Sequence, residues 1–172
     1  MYKYSDDDID DYLKSIKDAK DSVGSEVELI IKGVKAGIGE PPFAPLDGEL
    51  ARYIYLIPSV KSVSFGLGDS FARSKGSEVA DEMQVIDGKV NYLQNTNGGI
   101  IGGISNGADI ALNVVFKPIA SIAREFKTIN MKTMENASLC IEGRHDAAVV
   151  PRVYAIMKCY AALAIYDMMV RA

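Results

Sequence analysis

The sequence has little histidine, little cysteine and no excess of positive charge. It contains one histidine, His145, and two cysteines, Cys140 and Cys159, in 172 residues. The cysteines have no paired spacing and we find no signal peptide, so we expect a reducing, cytoplasmic compartment with both thiols buried or inert. A formal net charge of -4 gives no general positive field, so nucleic acid is not an expected partner.

Long uninterrupted hydrophobic runs are absent as well. The most apolar stretch, residues 153–170, contains Lys158 and Asp167. Charges in the middle of a membrane span are unfavourable, so we expect a buried helix here and no membrane association. We find no repeat, linker or low-complexity tract, and the length and composition are those of one soluble domain over residues 1–172.

Alternating apolar patterns predict several strands. They cover residues 26–32, 60–65, 83–86, 89–93 and 110–116. Between the third and fourth of these stand Asp87 and Gly88, which strongly favour a two-residue hairpin turn. Residues 119–134 have no clear pattern.

Helices are predicted at three places. One follows Ser5, whose hydroxyl suits a helix N-cap, and the acidic residues after it indicate a solvated helix start and no metal site. A second is expected to be capped by Asp47 and stopped by Pro58, and the last begins near Pro151. Without regular βαβ alternation, the pattern predicts an α+β fold with antiparallel β-sheet packed with helices.

The loop before the last helix concentrates chemically active side chains. Arg144, His145 and Asp146 are consecutive, a few residues before Pro151. A loop fixed by a helix is a good platform for a functional site. An Arg-His-Asp run is also typical of a surface turn with a local ion pair, and spacing alone does not decide between the two.

A glycine-rich stretch, residues 98–107, is the second candidate for a ligand-binding loop. Its spacing matches neither the dinucleotide-binding fingerprint nor the Walker loop. Taken alone, it favours tight turns over a ligand cradle. Lys117, which follows the next strand, is suited to pair with a phosphate group, or is simply a solvated strand end.

Four stretches, in order along the chain, resemble the chorismate synthase family. They are Asp21–Gly24 with Gly37–Pro41, Lys75–Glu78 with Asp81–Glu82, Asn97–Gly107 leading to Phe116–Pro118, and Gly143–Asp146 with Val149–Arg152. Together they span nearly the whole chain. The resemblance implies the C-terminal half of that family's β-α-β sandwich.

The resemblance also implies an activity and a set of site residues. Chorismate synthases use reduced FMN to convert 5-enolpyruvylshikimate 3-phosphate into chorismate and phosphate by a 1,4-anti-elimination, a lyase step of the shikimate pathway that leads to aromatic amino acids. The positions that match the family's FMN contacts are Gly102, Lys117, Ser121 and Arg144, of which Arg144 also matches a substrate contact, and Asp146 matches the catalytic proton acceptor. Ile119 and Ala120 replace hydroxyl residues usual in the family, and Lys158 stands where a glutamate is often found.

The family's N-terminal half is not in this sequence. That half carries a Gly-Glu-Ser-His-Gly motif, a second catalytic histidine and several substrate-binding arginines, and His145 alone does not replace them. We therefore expect a C-terminal portion that needs the missing half as partner, forms a homotetramer as its relatives do, and has negligible activity alone. His145 itself is assigned a structural role. The alternative is a non-catalytic remnant that serves as a flavin-binding or oligomerisation module.

Overall fold

The computed structural model describes residues 6–171, which form two compact units. The first unit contains residues 6–25 and 116–151, and the second contains residues 26–115 and 152–171. A single domain over residues 1–172 stays a prediction.

Within residues 6–171, the three short hairpins follow one another between the helices at Gly76–Val79 and Val150–Arg171, with the strand Ile110–Phe116 between the second and third hairpins. The helices are α1 (Asp6–Asp18), α2 (Leu46–Tyr55), α3 (Gly76–Val79) and α4 (Val150–Arg171), and a 3₁₀ helix spans Gly68–Arg73. The strands are β1 (Ser25–Ile31), β2 (Val60–Phe65), β3 (Met83–Ile86), β4 (Lys89–Tyr92), β5 (Ile100–Ile101), β6 (Ile104–Ser105), β7 (Ile110–Phe116), β8 (Phe126–Asn130) and β9 (Glu135–Leu139). The pairs β3–β4, β5–β6 and β8–β9 are antiparallel, and β1, β7 and β2 form a three-stranded sheet in that order. The predicted α+β class is confirmed.

Strand β7 is the central strand of the three-stranded sheet and carries much of the core. Its inward side chains, Ile110, Leu112, Val114 and Phe116, are at most 1% exposed. Helix α2 packs against β2 and buries Leu46, Leu50 and Ile54 completely. Burying each such side chain contributes about 1.5–3 kcal/mol relative to leaving it exposed, so this sheet and helix α2 contribute substantially to the stability of the fold.

The start of α2 differs from the prediction. The N-cap is Pro45, in extended conformation, and Asp47 lies inside the first turn. Leu46 is completely buried, and this anchor starts the helix one residue before Asp47. The predicted Asp47 cap is therefore wrong, although a carboxylate in the first turn still suits the helix dipole.

Helix α1 and its predicted serine cap are only partly described. Ser5 lies outside the described residues. The apolar residues Ile9, Tyr12, Leu13 and Ile16 of this helix recur at the spacing of one helix face. Leu13 and Ile16 are half-buried, whereas Ile9 and Tyr12 are exposed. The helix therefore has a narrower buried face than its sequence pattern indicates.

Helix α4 buries one face and exposes another apolar one. Its buried residues are Val153, Met157, Ala161, Ala164, Ile165 and Met168. The opposite face exposes Ile156, Cys159, Leu163, Tyr166 and Val170, at alternating spacings of three and four residues. By length and composition the helix would also suit a membrane span, a property that core helices share, and 33% of its apolar window is buried. The expected buried helix is correct for one face only.

Of the two longer hairpins, the sequence predicts one. In β3–β4 the turn is Asp87-Gly88, with φ of 49° and 73°, and Ile86 pairs with Lys89 as predicted. The β8–β9 hairpin was not predicted. All residues of β9 are exposed, so no buried face imposes an alternating pattern, and backbone pairing alone defines the strand.

Both cysteines are exposed. Cys140 directly follows β9, and Cys159 lies on the exposed face of α4. Of the two alternatives given above, burial of the thiols is therefore wrong, and their being inert stays a prediction.

The core assignment of β7 predicts a difference between two adjacent valines. Val114 is completely buried and Val115 is 36% exposed on the opposite face of the same strand. We expect Val114→Ala to lower the free energy of unfolding by about 2 kcal/mol, through lost burial and the cavity left behind, and Val115→Ala by less than about 1 kcal/mol. Urea unfolding followed by circular dichroism measures both. The change in β-propensity is the same in the two variants, so equal losses would contradict the assignment.

Candidate functional site

The segment Ser22-Val23 holds two loops of the first unit. The Ser22 hydroxyl donates to the carbonyl of Ile119 at 2.7 Å. The Val23 N–H donates to the carbonyl of Ala147 at 2.8 Å. These bonds fix the two loops that contain the candidate site residues of this unit, residues 117–121 and 144–147, to one short segment, which we call the loop clamp.

Gly24, which follows the loop clamp, packs closely against Phe116 and Pro118. A Cβ atom added at this position would lie 2.9 Å from the Phe116 carbonyl oxygen and 3.3 Å from Pro118 Cδ. Real Cβ atoms do not approach a backbone oxygen so closely. The glycine therefore allows the chain to run directly beside the start of the 117–121 loop.

Asp21 is held in its ionised form beside the clamp. Its carboxylate accepts the Ser22 N–H at 2.8 Å and an Arg124 N–H at 2.7 Å. The hydrogen bond from Ser22, followed by that from Arg124, lowers the pKa of Asp21 below its usual 3.8. The carboxylate is thus charged at neutral pH and matched by Arg124.

His145 has a partner within its own loop. Its Nε2 atom lies 2.9 Å from the Ile141 carbonyl oxygen. A carbonyl only accepts hydrogen bonds, so Nε2 carries the proton in this contact. This bond supports the structural role assigned to His145, which stays a prediction.

The structure brings most of the predicted site residues into the first unit. Lys117, Ser121 and Asp146 are half-buried there, and Arg144 is exposed. Gly102 lies in the second unit, in the turn of the β5–β6 hairpin.

In the second unit, Asp81 fixes the two residues just before the glycine-rich stretch, Thr96 and Asn97. Its carboxylate accepts the N–H of Thr96 at 2.6 Å and the Thr96 hydroxyl at 2.5 Å. It also accepts the N–H and the side-chain amide of Asn97, at 3.1 and 2.9 Å. Partial burial by itself would raise the pKa of Asp81, but the hydrogen bonds from Thr96 and Asn97 together outweigh it and lower that pKa below 3.8.

Ser105 fixes the other end of the same stretch. It is 3% exposed, and its hydroxyl donates to the Lys35 carbonyl at 2.6 Å and accepts the Ile38 N–H at 2.9 Å. Backbone bonds join Ser105 to Gly37 and Ile38 as well. The stretch around Gly37 is thereby attached to strand β6.

Between these two anchors, Gly102 presents open backbone. It has φ of +60°, and an added Cβ would meet nothing within 4 Å. At the neighbouring Gly103 the added Cβ would lie 2.6 Å from the Cβ of Pro45. Gly103 therefore serves the packing of the chain on itself, whereas Gly102 leaves its backbone accessible to a ligand.

The accessible backbone and the residue types described above can be compared with what FMN binding requires. A flat flavin ring needs accessible backbone groups and a few donors. In the first unit Lys117 and Ser121 are donors of the right types, and in the second unit, considered by itself, Gly102 has accessible backbone. The Ile119 backbone carbonyl accepts a hydrogen bond from Ser22, so the loop is anchored there whatever side chain stands at this position. The residues present fit the cofactor, with one hydroxyl donor in the 117–121 loop.

The second unit also contains a cavity beside strand β4. It has a volume of about 610 Å³ and is lined mainly by neutral polar residues, among them Asn91, Gln94, Asn95 and Asn106. The Asn106 side-chain nitrogen is buried without a hydrogen-bond partner. None of the predicted site residues lines this cavity.

Comparison with known proteins gives one consistent result. The chorismate synthase family model matches residues 2–170. The chorismate synthase of Methanosarcina barkeri is 42% identical over 160 residues, which cover 93% of this chain and 44% of that protein. The chorismate synthase of Archaeoglobus fulgidus is 44% identical over 149 residues, or 87% of this chain and 41% of the relative.

A solved structure gives the same result for the fold. A crystal structure of chorismate synthase superposes with a TM-score of 0.77 and 26% identity, covering 96% of this chain and 43% of that one. The fold is that of an α+β enzyme domain. The chain belongs to the chorismate synthase family, and it spans less than half the length of these relatives.

The anchoring residues are the part that sequence reasoning missed. Ser22, Asp81 and Ser105 all lie inside or beside the stretches that resemble the family. For Ser22 and Ser105 the available signal was a hydroxyl residue two positions before a glycine, at Gly24 and Gly107, since hydroxyl side chains in turns commonly bond to backbone. Asp81 has no neighbouring glycine and gave no such signal.

The loop clamp predicts a local effect of Ser22→Ala. Losing one hydrogen bond of about 1 kcal/mol should speed amide exchange of Val23, whose N–H donates to the Ala147 carbonyl, about fivefold, because local opening becomes easier. Hydrogen–deuterium exchange with peptide mass spectrometry measures this. Ser15→Ala is the matched control, since the Ser15 hydroxyl donates to Tyr12 within α1 at the same 2.7 Å distance. Unchanged exchange of the Val23 amide would contradict the anchoring role of Ser22.

The lowered pKa of Asp81 predicts that its contribution to the free energy of unfolding depends on pH. Because its folded pKa is lowered, its contribution is complete above the unfolded pKa of about 3.9 and is lost as pH falls through the folded pKa. Asp81→Asn should therefore lower the free energy of unfolding on the order of 1 kcal/mol at pH 7, with the difference shrinking toward pH 3. Urea titrations at several pH values measure it, with Asp69→Asn, an exposed residue of the 3₁₀ helix, as the control. A pH-independent difference would refute this role of the carboxylate.

Proposed function

We propose that this chain supplies the C-terminal part of a chorismate synthase active site. The observation that carries the proposal is the loop clamp, by which Ser22 and Val23 hold residues 117–121 and 144–147 together. Those two loops contain every position that matches the family's cofactor, substrate and proton-transfer residues except Gly102, which lies in the second unit. Membership in the family and the fitting residue types support the same assignment.

The proposed ligands are reduced FMN and 5-enolpyruvylshikimate 3-phosphate. Gly102 offers accessible backbone, Lys117 a point charge and Ser121 a hydroxyl for the cofactor. Arg144 is exposed, and its planar guanidinium suits a carboxylate or phosphate of either ligand.

The chemistry is a 1,4-anti-elimination that releases phosphate and yields chorismate. Reduced FMN, when bound, supplies electron density to the carbon framework as the allylic C–O bond breaks. Arg144 stabilises the negative charge that develops on the departing phosphate. Asp146, half-buried on the same loop, accepts a proton on its carboxylate, as the family's catalytic carboxylate does.

The proposal includes partners. The chain spans 44% of the Methanosarcina barkeri enzyme, and the remaining part of the family's fold is proposed as the partner that completes the site. Alone, the chain is proposed to have negligible activity. The assembled form is proposed to be a cytoplasmic homotetramer.

A second candidate function is a non-catalytic flavin-binding or oligomerisation module. The observation that favours it is the loss of the hydroxyls at Ile119 and Ala120, which leaves fewer donors for a flavin in that loop. Under this alternative the flavin binds without turnover.

Reconstitution distinguishes these functions. This chain is mixed with the part of the Methanosarcina barkeri enzyme that it does not match, and chorismate formation is followed with chemically reduced FMN. We expect activity from the mixture and negligible activity from either piece. Asp146→Asn should lower the restored activity at least about a hundredfold, as expected for a group that transfers a proton.

The control variant is Glu142→Gln, an exposed carboxylate on the same loop. It should keep the restored activity within about twofold. Assembly without turnover would establish the non-catalytic alternative. Measurable chorismate formation by this chain alone would refute its dependence on a partner.

A further inference from the structure

Four of the seven residues that line a small cavity in the first unit are basic. It has a volume of about 210 Å³ and lies between the end of α1 and the loop before α4. Its polar lining consists of Lys17, Lys20, Asp21, Arg144 and His145. Neither lysine was a predicted site residue, and only Arg144 belongs to the proposed flavin and substrate contacts.

The cavity carries uncompensated positive charge. The one acidic side chain in its lining, Asp21, is already paired with Arg124 at 2.7 Å. Within residues 6–171, Lys17, Lys20 and Arg144 form no ion pair with a carboxylate. Three cations around one hollow attract an anion.

The backbone at the end of α1 fixes where the two lysines stand. The Asp21 N–H donates to the Ile16 carbonyl at 3.1 Å and the Lys20 N–H to the Lys17 carbonyl at 2.9 Å. Lys20 has φ of 57°. This is the Schellman closure of a helix, with Lys20 in the left-handed position that glycine usually occupies. A lysine at this position is less favourable than glycine, and Lys20 is one of the residues that line the cavity.

The opposite wall is fixed as well. The Nε2–H of His145 donates to Ile141, and the neighbouring Ala147 carbonyl accepts from Val23 of the loop clamp. Arg144 therefore extends from a loop that is held on both sides. The cavity is bounded by two anchored walls.

The volume limits the size of the ligand. Sites for drug-sized molecules or cofactors occupy about 300–1,000 Å³, and this cavity has about 210 Å³. A whole flavin nucleotide does not fit, whereas one charged group with some hydration does. Lysine ammonium groups recognise phosphate as point charges, and the arginine fork adds directed donors.

We propose that this cavity binds a phosphate group, either as a phosphate monoester or as free phosphate. Lys17, Lys20 and Arg144 neutralise the dianion, and Arg144 connects the cavity to the proposed active site. Binding of phosphate itself does not depend on the proposed function. Only the origin of the group, in the cofactor, the substrate or the released product, rests on that function.

The test compares two double variants with the same loss of charge. Lys17→Gln/Lys20→Gln removes the lysines of the cavity, and Lys127→Gln/Lys132→Gln removes two exposed lysines of the β8–β9 hairpin in the same unit. Inorganic phosphate is titrated into each full chain at constant ionic strength by NMR or calorimetry. We expect the cavity variant to bind phosphate at least about tenfold more weakly than the wild type, and the control within twofold. Equal affinities in the two variants, or no saturable binding to the wild type, would overturn the proposal.

Two further titrations identify the origin of the phosphate. FMN and riboflavin differ by the phosphate group, so weaker binding of FMN alone by the cavity variant assigns the cavity to the cofactor. If FMN binding is unchanged while phosphate binding is weakened, the cavity serves the substrate or product. Both results support phosphate binding in the cavity. Failure of the reconstituted enzyme with intact phosphate binding would contradict the proposed function and leave this inference standing.

Discussion

The hydrogen bonds of the loop clamp are the interaction on which the candidate site depends. A side-chain hydroxyl at Ser22 and a backbone N–H at Val23 each donate to the carbonyl of a different loop. Every residue has a backbone carbonyl, so these bonds do not require a particular side chain at Ile119 or Ala147. The 117–121 loop is therefore anchored to Ser22 although neither Ile119 nor Ala120 carries a hydroxyl. The side chains at these two positions affect what the loop offers to a ligand and leave its position defined.

The second unit applies the same principle with different chemistry. Asp81 holds Thr96 and Asn97 through a charged acceptor, and Ser105 holds the segment near Gly37 through a buried hydroxyl. Hydrogen bonds to a carboxylate are stronger than neutral ones but depend on its ionisation. Anchoring at Asp81 is therefore sensitive to acid, whereas anchoring at Ser22 and Ser105 is not.

The parts of the fold that the sequence predicts are those with a strong local or periodic cause. Strand β7 alternates because one face is buried, and Asp87-Gly88 adopts the positive φ values that a tight hairpin needs. The β8–β9 hairpin has no buried face on β9 and so leaves no period to detect. The Asp47 cap was wrong because burial of Leu46, a tertiary effect, fixed the start of α2. The site residues were predicted from the family resemblance. The loop clamp joins residues as far apart in sequence as Ser22 and Ile119, and no local sequence pattern reveals such a contact.

The two exposed cysteines are placed usefully for studies in solution. Cys140 belongs to the first unit and Cys159 to the second. The native sequence thus carries one accessible thiol in each unit and no other cysteine. A thiol-reactive spin label would attach to both without any mutation, and the distance between the two labels would report how the units are arranged in the free chain. Changes in that distance when phosphate or flavin is added would show whether either ligand alters the arrangement.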